Sequence, residues 1–303
     1  MSTSTTSMLH RSHGKVILLG EHSVVYGHAA LAGALADGAT VELAAGRGRL
    51  RVPAWNVEVD PDAVAETTLA RAYAAILERA AAAGLGRAAR SYDLTLRFHL
   101  PTGAGLGSSA AMAVAIGRGL GLDGAALAEA AMAAETVIHG KPSGLDHTVA
   151  LAGGFGVFTR AAGLRPVVAP PLVLAIGHTG KTRDTKGRVA RVAELVAERG
   201  DEVRARFAAI EALVESGRAA VERGAVGELG AAMNENQRHL EALEVSCPEI
   251  ERLCALARDA GAVGAKLTGG GGGGCVIAVG QVEAVAQAWE RAGYQSFLAQ
   301  VCA

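Results

Sequence analysis

The chain has 303 residues, of which half are apolar and about a fifth are charged, with a formal net charge of -1. This length allows one large or two modest domains, and the composition excludes a disordered chain. The near-neutral charge leaves no excess of Lys and Arg for a polyphosphate backbone, so nucleic acid is not an expected partner.

The four cysteines form neither a CxxC pair nor a zinc pattern, and no apolar run is long enough to span a bilayer. The polar start MSTSTTS has no signal-peptide pattern and is expected to be a frayed tail. We therefore expect a globular protein of the reducing cytoplasm with no membrane partner.

The first half of the chain is predicted to mix strands and helices. β-type composition or alternation predicts strands over 15–19, 39–44 and 92–99. Apolar residues at helical spacing predict helices over 62–83, 108–120 and 124–138.

The second half begins with strands predicted over 153–159 and 172–177, joined by a Pro-bearing linker over 166–171. Helices are predicted from 185 to about 260, with breaks at Gly200, Gly224 and Pro248. Two strands are predicted to flank residues 269–274, and a helix over 282–292 and a strand over 295–301 end the chain. The pattern predicts two α+β lobes with a cleft, divided as residues 8–165 and 166–303.

The segment PTGAGLGSSAA, residues 101–111, places a glycine-rich turn between a predicted strand and a predicted helix. Its glycines let a ligand approach the backbone, and the free N–H groups at the helix start attract negative charge. The segment matches neither the Walker A pattern nor the dinucleotide fingerprint. A phosphate-binding turn and an ordinary helix cap are both compatible with it.

The segment GKVILLGEHSVVYGHAAL, residues 14–31, has Lys15 at the start of a strand, with Glu21 and His22 just beyond its end. Charged residues at strand ends often line binding or catalytic sites. By itself, the pattern also fits a solvated edge lysine and a histidine satisfied in the core.

The segment ETVIHGKPSGLDHTVALAGG, residues 135–154, carries Glu135 and His139 one helical turn apart, followed by a turn that leads to Asp146. Asp146 is a candidate for acid–base chemistry. It also fits a helix N-terminal residue that the macrodipole stabilises.

The segment GAKLTGGGGGGCVIAV, residues 264–279, contains six consecutive glycines between two apolar strands. Because six glycines lose much conformational entropy on folding, a turn alone is a weak explanation. The pattern favours a backbone brought against a ligand.

Together, in this order, the four segments resemble the GHMP family of small-molecule kinases over nearly the whole chain. The resemblance implies an α+β fold with an N-terminal lobe like domain 2 of ribosomal protein S5. It also implies a ferredoxin-like C-terminal lobe with added helices, and ATP and an alcohol meeting between the lobes. The segments 14–31 and 135–154 resemble the members that phosphorylate mevalonate. The expected reaction is therefore ATP-dependent phosphorylation of its primary hydroxyl to 5-phosphomevalonate, on the route to isoprenoids.

The resemblance also implies roles for individual residues. Asp146 is expected at the acceptor hydroxyl beside Lys15, and Ser109 and Glu135 are expected to hold Mg²⁺. The residues expected around the triphosphate of ATP are Pro101, Gly103, Ala104, Gly105, Leu106, Gly107, Ser108 and Ser109. The residues expected around mevalonate are Lys15, Glu21, His22, Asp146, Thr185, Gly269 and Gly270.

Three positions depart from the residues usual in the family: His13 replaces Pro, Gly270 replaces Ala, and His147 stands where Asn is frequent. The acceptor could therefore be phosphomevalonate, homoserine or a sugar, and a non-catalytic ligand sensor is the remaining alternative. The chain is expected to be a monomer or a homodimer.

Overall fold

The computed structural model describes residues 9–301, and the predicted N-terminal tail lies outside them. The described part of the chain contains eleven strands and ten α-helices. None of these helices combines the length and the apolar character needed to cross a bilayer. The residues group into two compact units that interleave along the chain.

The units differ from the predicted contiguous domains, 8–165 and 166–303, because two long strands contribute to both. Among the described residues, the first unit holds 9–14, 37–101 and 107–151; the second holds 15–36, 102–106 and 152–301. Strand β1 (Leu9–Leu19) changes unit after residue 14, and β2 (Ala30–Ala45) after residue 36. The predicted boundary between the two lobes of the family, near residue 165, stays a prediction.

The first unit has a sheet in the order β4–β3–β5–β2, in which only β3 and β5 run parallel. Its further strands are β3 (Leu50–Val52), β4 (Val57–Val59) and β5 (Tyr92–Phe98). Its helices are α1 (Thr68–Ala82), α2 (Gly86–Ala89), α3 (Ser108–Gly119), α4 (Gly124–His139) and α5 (Leu145–Ala152).

Most predicted elements of this unit are confirmed, with differences that have local causes. The helix predicted over 62–83 begins only at Thr68, because the Thr67 side chain accepts a hydrogen bond from the Ala70 N–H, at 3.1 Å, and caps the helix there. β3 and β4 were not predicted, since three residues are too few to show alternation.

Helix α3 is the centre of the first unit. Its residues 110–117 are almost fully buried, and it packs against β5, α1 and α4. The small alanine side chains of this helix allow close approach on every side. The position of its first turn, with Ser108 and Ser109, is therefore fixed by the core.

The second unit has an antiparallel sheet in the order β9–β10–β8–β11, and Val301 of β11 pairs with Leu35 of β2. Its strands are β6 (Phe155–Thr159), β7 (Gly163–Val167), β8 (Leu172–His178), β9 (Gly264–Thr268), β10 (Cys275–Val279) and β11 (Gln295–Val301). Its helices are α6 (Thr185–Glu198), α7 (Gly200–Glu222), α8 (Val226–Ala242), α9 (Pro248–Asp259) and α10 (Val282–Arg291).

The predicted helix breaks at Gly200, Gly224 and Pro248 are confirmed as boundaries between successive helices. The predicted linker over 166–171 is partly wrong, because Pro166 lies in β7 and pairs with Gly156 of β6. Proline is tolerated there because β7 pairs with β6 alone and is an edge strand.

Helix α8 covers the open edge of β9. The Asn234 side chain accepts the N–H of Ala265 at 3.1 Å, and the Gln237 side chain accepts the N–H of Leu267 at 3.0 Å. A methyl group built on Gly230 would lie 2.7 Å from the backbone of Val263. The helix thus replaces a neighbouring strand for β9, and glycine is what lets the two backbones meet.

We predict that Gly230→Ala lowers the free energy of unfolding by about 1–3 kcal/mol, because the added methyl meets backbone atoms that cannot rotate away. Gly227→Ala, in the same helix, is the matched control. Nothing lies within 4 Å of its added methyl, so it should be neutral or stabilise by up to about 1 kcal/mol. Urea unfolding of the three proteins measures both values, and equal effects of the two substitutions would contradict this account of α8.

Candidate active site

The glycine-rich loop 102–106 is hydrogen-bonded to Lys15, the first residue of β1 that belongs to the second unit. The Lys15 N–H donates to the Leu106 carbonyl at 2.9 Å, and the Lys15 side chain is almost fully buried. Gly103 and Gly105 have φ values of +78° and +97°, and nothing lies within 4 Å of a methyl built on Gly103. The loop therefore exposes backbone at Gly103 that a ligand can approach.

Arg183 lies between this loop and the six-glycine run 269–274. Its Nε donates to the Gly103 carbonyl at 3.1 Å. A methyl on Gly105 would lie 3.1 Å from its Nη1, and a methyl on Gly274 would lie 2.6 Å from its Cγ. Sequence analysis missed Arg183, although it stands two residues before the predicted Thr185. Its position next to two glycine segments provides a fixed cation beside exposed backbone.

The six-glycine run packs closely against its own chain, which gives most of these glycines a structural requirement in addition to the predicted ligand contact. A methyl on Gly271 would lie 2.0 Å from the Val245 carbonyl oxygen, and one on Gly273 would lie 2.8 Å from the Thr182 carbonyl oxygen. A methyl on Gly270 would lie 2.6 Å from Thr185 Oγ1, so an alanine there would displace that side chain. Gly269 differs, because its nearest neighbours would be 3.9 Å away or more. Internal packing thus requires most of these glycines, and Gly269 remains accessible.

His22 follows β1 in an unusual backbone conformation, with φ 63° and ψ -48°. Its Nε2 lies 3.1 Å from the Gly270 carbonyl. Burial lowers the pKa of His22 to about 4, so near pH 7 the ring is neutral and Nε2 carries the proton donated to that carbonyl. The histidine therefore links the end of β1 to the glycine run.

Glu21 is buried, and its carboxylate forms an ion pair with Lys266 of β9. Its second oxygen accepts a hydrogen bond from the Asn236 amide at 3.4 Å. Burial raises the pKa of Glu21 and lowers that of Lys266, and each partner opposes the shift of the other. Lys266 was also missed by sequence analysis. The signal that could have found it is a single cation inside an otherwise apolar strand.

The first unit places Ser108 and Ser109 in the first turn of α3, directly after Gly107 with φ 76°. Ser109 Oγ lies 3.0 Å from Nε2 of His139, and Oε1 of Glu135 lies 3.9 Å from the same nitrogen. The structure thus brings together the predicted Ser109 and Glu135 on α3 and α4. Pro101 ends the stretch of the first unit that precedes loop 102–106.

Asp146 lies in the first turn of α5, where its negative charge is favourable to the helix dipole. The neighbouring His147 is buried, and its Nδ1 has no hydrogen-bond partner among the described residues. Burial lowers the pKa of His147, while the Asp146 charge opposes this shift. The predicted carboxylate is thus held on a short helix beside a neutral imidazole.

The side chains and backbone groups described above suit the binding of an anion better than a metal site formed only by protein ligands. Within residues 9–301, no three His, Cys, Asp or Glu side chains cluster as a metal site. In the second unit, loop 102–106 and Arg183 offer N–H groups and a cation. In the first unit, Ser109 and Glu135 offer two oxygen ligands near the free N–H groups at the start of α3.

The chain matches two protein-family models: the GHMP kinases N terminal domain over residues 67–154 and the GHMP kinases C terminal model over residues 209–295. It is 34% identical to a mevalonate kinase of Pyrococcus horikoshii, with 92% of this chain and 91% of that protein covered. It is 33% identical to a mevalonate kinase of Aeropyrum pernix, with 95% and 94% covered.

Among solved structures, the chain is similar to L. major mevalonate kinase in complex with R-mevalonate. The TM-score is 0.84 at 26% identity, with 100% of this chain and 99% of that chain covered. The fold expected from the sequence is therefore confirmed. Both family models match in order, and the relatives cover nearly the whole length, so this chain belongs to the GHMP kinase family.

Proposed function

We propose that this protein is a mevalonate kinase, which transfers the γ-phosphoryl group of ATP to the primary hydroxyl of mevalonate. The observation that carries the proposal is the position of Arg183 between loop 102–106 and the run 269–274. The relatives named mevalonate kinase over nine-tenths of the chain support the choice of acceptor.

On the nucleotide side, we propose that residues 101–107 and the first turn of α3 hold the triphosphate. Exposed backbone at Gly103 and the N–H groups near Ser108 would bind phosphate oxygens, and Arg183 would neutralise part of their charge. Such contacts match the needs of phosphoryl transfer, in which positioning and charge neutralisation supply most of the catalysis.

Ser109 and Glu135 fit a role in holding Mg²⁺. Both present oxygen, the ligand type that Mg²⁺ prefers, and both lie within 4 Å of the same His139 nitrogen. Two protein ligands are enough because Mg²⁺ in such sites takes further ligands from water and the nucleotide. When bound, the ion would neutralise charge on the phosphates.

At the acceptor, we propose that Asp146 orients the hydroxyl and accepts its proton, while Lys15 stabilises the developing alkoxide. An alcohol pKa near 15.7 and an Asp pKa near 3.9 differ by about 12 units, or ~16 kcal/mol. This free-energy difference equals the whole activation free energy of an enzyme that turns over about 10 times per second. The proton must therefore leave late, as the new bond to phosphorus forms.

The remaining acceptor contacts are proposed for His22, Thr185 and the backbone of Gly269 and Gly270. Thr185 Oγ1 lies beside Gly270, and His22 donates to the same residue, so the three positions are neighbours within the second unit. Glu21 would act on this surface indirectly, because it is buried. We place the reaction in the cytoplasm, where ATP is supplied.

The central prediction is that the purified protein produces ADP only when mevalonate, ATP and Mg²⁺ are all present. A coupled ADP assay measures turnover, and phosphorus NMR of the product should show a monoester at the primary hydroxyl. Phosphomevalonate, homoserine and galactose should each give kcat/KM values at least about a hundredfold lower. A better rate with one of these acceptors would replace mevalonate, and binding without ADP formation would favour a ligand sensor.

For Asp146→Asn, we expect kcat to fall by at least about a hundredfold with little change in KM for ATP, because the amide cannot accept the late proton. Asp123→Asn, at the start of α4, is the matched control, since its side chain makes no capping hydrogen bond. Steady-state kinetics measure both variants. Turnover by Asp146→Asn within threefold of the original protein would exclude the proposed role.

For Arg183→Met, we expect KM for ATP to rise about 10- to 100-fold, because a charge-assisted hydrogen bond is worth about 1.5–3 kcal/mol. KM for mevalonate should change less. Arg204→Met is the control, because Arg204 is an exposed arginine of α7 paired with Asp201. An unchanged KM for ATP in Arg183→Met would show that the cation does not contact the nucleotide.

A further inference from the structure

The Glu21–Lys266 ion pair is buried deeply enough that stability alone does not explain it. Both side chains have 0% exposure, and Lys266 also donates to the Leu267 carbonyl at 2.6 Å. Moving two charges out of water costs several kcal/mol, and apolar residues of similar size often replace such pairs without loss of stability. This buried pair therefore calls for a positional explanation.

The pair holds the turn that follows β1. Glu21 is bound on one side by Lys266 and on the other by the Asn236 amide, whose own oxygen accepts the Gly20 N–H at 3.4 Å. Asn236 thus ties the backbone and the side chain of the turn to α8. Every partner belongs to the second unit.

The turn contains strained backbone that needs such support. His22, at φ 63° and ψ -48°, lies outside the regions that a residue with a side chain normally occupies. A conformation of this kind costs of order 1–3 kcal/mol and persists only where its surroundings fix it. The groups that fix it are the Glu21 contacts on one side and the Gly270 carbonyl on the other.

Lys266 also lies on the strand that leads into the glycine run. Two residues after it, the Thr268 hydroxyl accepts the Ile17 N–H at 2.9 Å and donates to the Ile17 carbonyl at 3.1 Å. The end of β9 and the end of β1 are therefore joined both by this hydroxyl and by the ion pair. A change at Lys266 would alter His22 and Gly270 together.

We propose that Lys266 is a positioning residue for the acceptor alcohol, acting through Glu21 on the turn that presents His22. Lys266 touches neither the nucleotide nor the alcohol in this proposal. The inference rests on the proposed function, since it assigns the turn to acceptor binding. The proposal predicts that removing both charges together leaves stability unchanged but lowers the affinity for the acceptor.

The test compares Lys266→Met, Glu21→Leu and the double variant with the original protein. Each single variant leaves one buried charge without its partner and should unfold at a lower urea concentration. The double variant should regain the original urea midpoint. Its KM for mevalonate should nevertheless stay raised at least tenfold, with KM for ATP within twofold of the original. Amide hydrogen exchange at residues 20–24 should be at least tenfold faster in the double variant.

The control is the double variant Arg206→Met with Glu202→Leu, which removes an exposed ion pair on α7 and should change neither KM nor amide exchange at the turn. A double variant with normal KM for mevalonate and normal amide exchange would overturn the positioning role. If the double variant does not fold, Glu21→Asp keeps the charge but shortens the side chain and so weakens the contact with Lys266, and an unchanged KM for mevalonate there also overturns it. An original protein that does not phosphorylate mevalonate would instead overturn the proposed function, and this inference with it.

Discussion

Contact between backbones, without intervening side chains, is the constraint on which the second unit depends. The carbonyl of Val245 accepts the Gly272 N–H at 2.9 Å, and the carbonyl of Lys181 accepts the Gly274 N–H at 3.1 Å. A methyl group on any of the residues 270–274 would lie 2.8 Å or less from a neighbouring atom, and at Gly271 and Gly273 that atom is a backbone carbonyl oxygen. The loop that carries Arg183 can approach the glycine run only because these side chains are absent, so the position of the cation follows from the glycines.

The sequence predicted the larger elements because their signals extend over several turns or alternations. Helices α3 and α4 and the three breaks among the later helices belong to this group. β3, β4 and β7 were missed because three to five residues, one of them proline, carry no period. The sequence pattern also did not predict that the two units interleave along the chain. Only tertiary contacts show that β1 and β2 each contribute to both units.

The candidate site shows the same limit at the level of single residues. Motifs placed Ser109 and Asp146 in the first turns of helices, which is where the structure has them. Lys15 was predicted to begin a strand, but it lies inside β1, which already begins at Leu9. Arg183 and Lys266 were missed because their importance lies in partners 80 and 245 residues away along the chain. For the glycine run, the sequence predicted a ligand contact but not the packing against Val245 and Thr182, because composition cannot distinguish a backbone packed on a ligand from one packed on its own chain.

The energetics of the proposed reaction explain why such a site needs rigidity more than a strong base. If Asp146 cannot take the proton before the phosphorus bond forms, its contribution depends on where the hydroxyl is held at that moment. A misplacement of about 1 Å costs on the order of a hundredfold in rate. In the proposed site, a neutral histidine with one hydrogen bond, on a turn held by buried charges, would bind an alcohol without attracting a competing anion. The buried Glu21–Lys266 pair adds no net charge to the site, because its two opposite charges lie in direct contact and both side chains are completely covered.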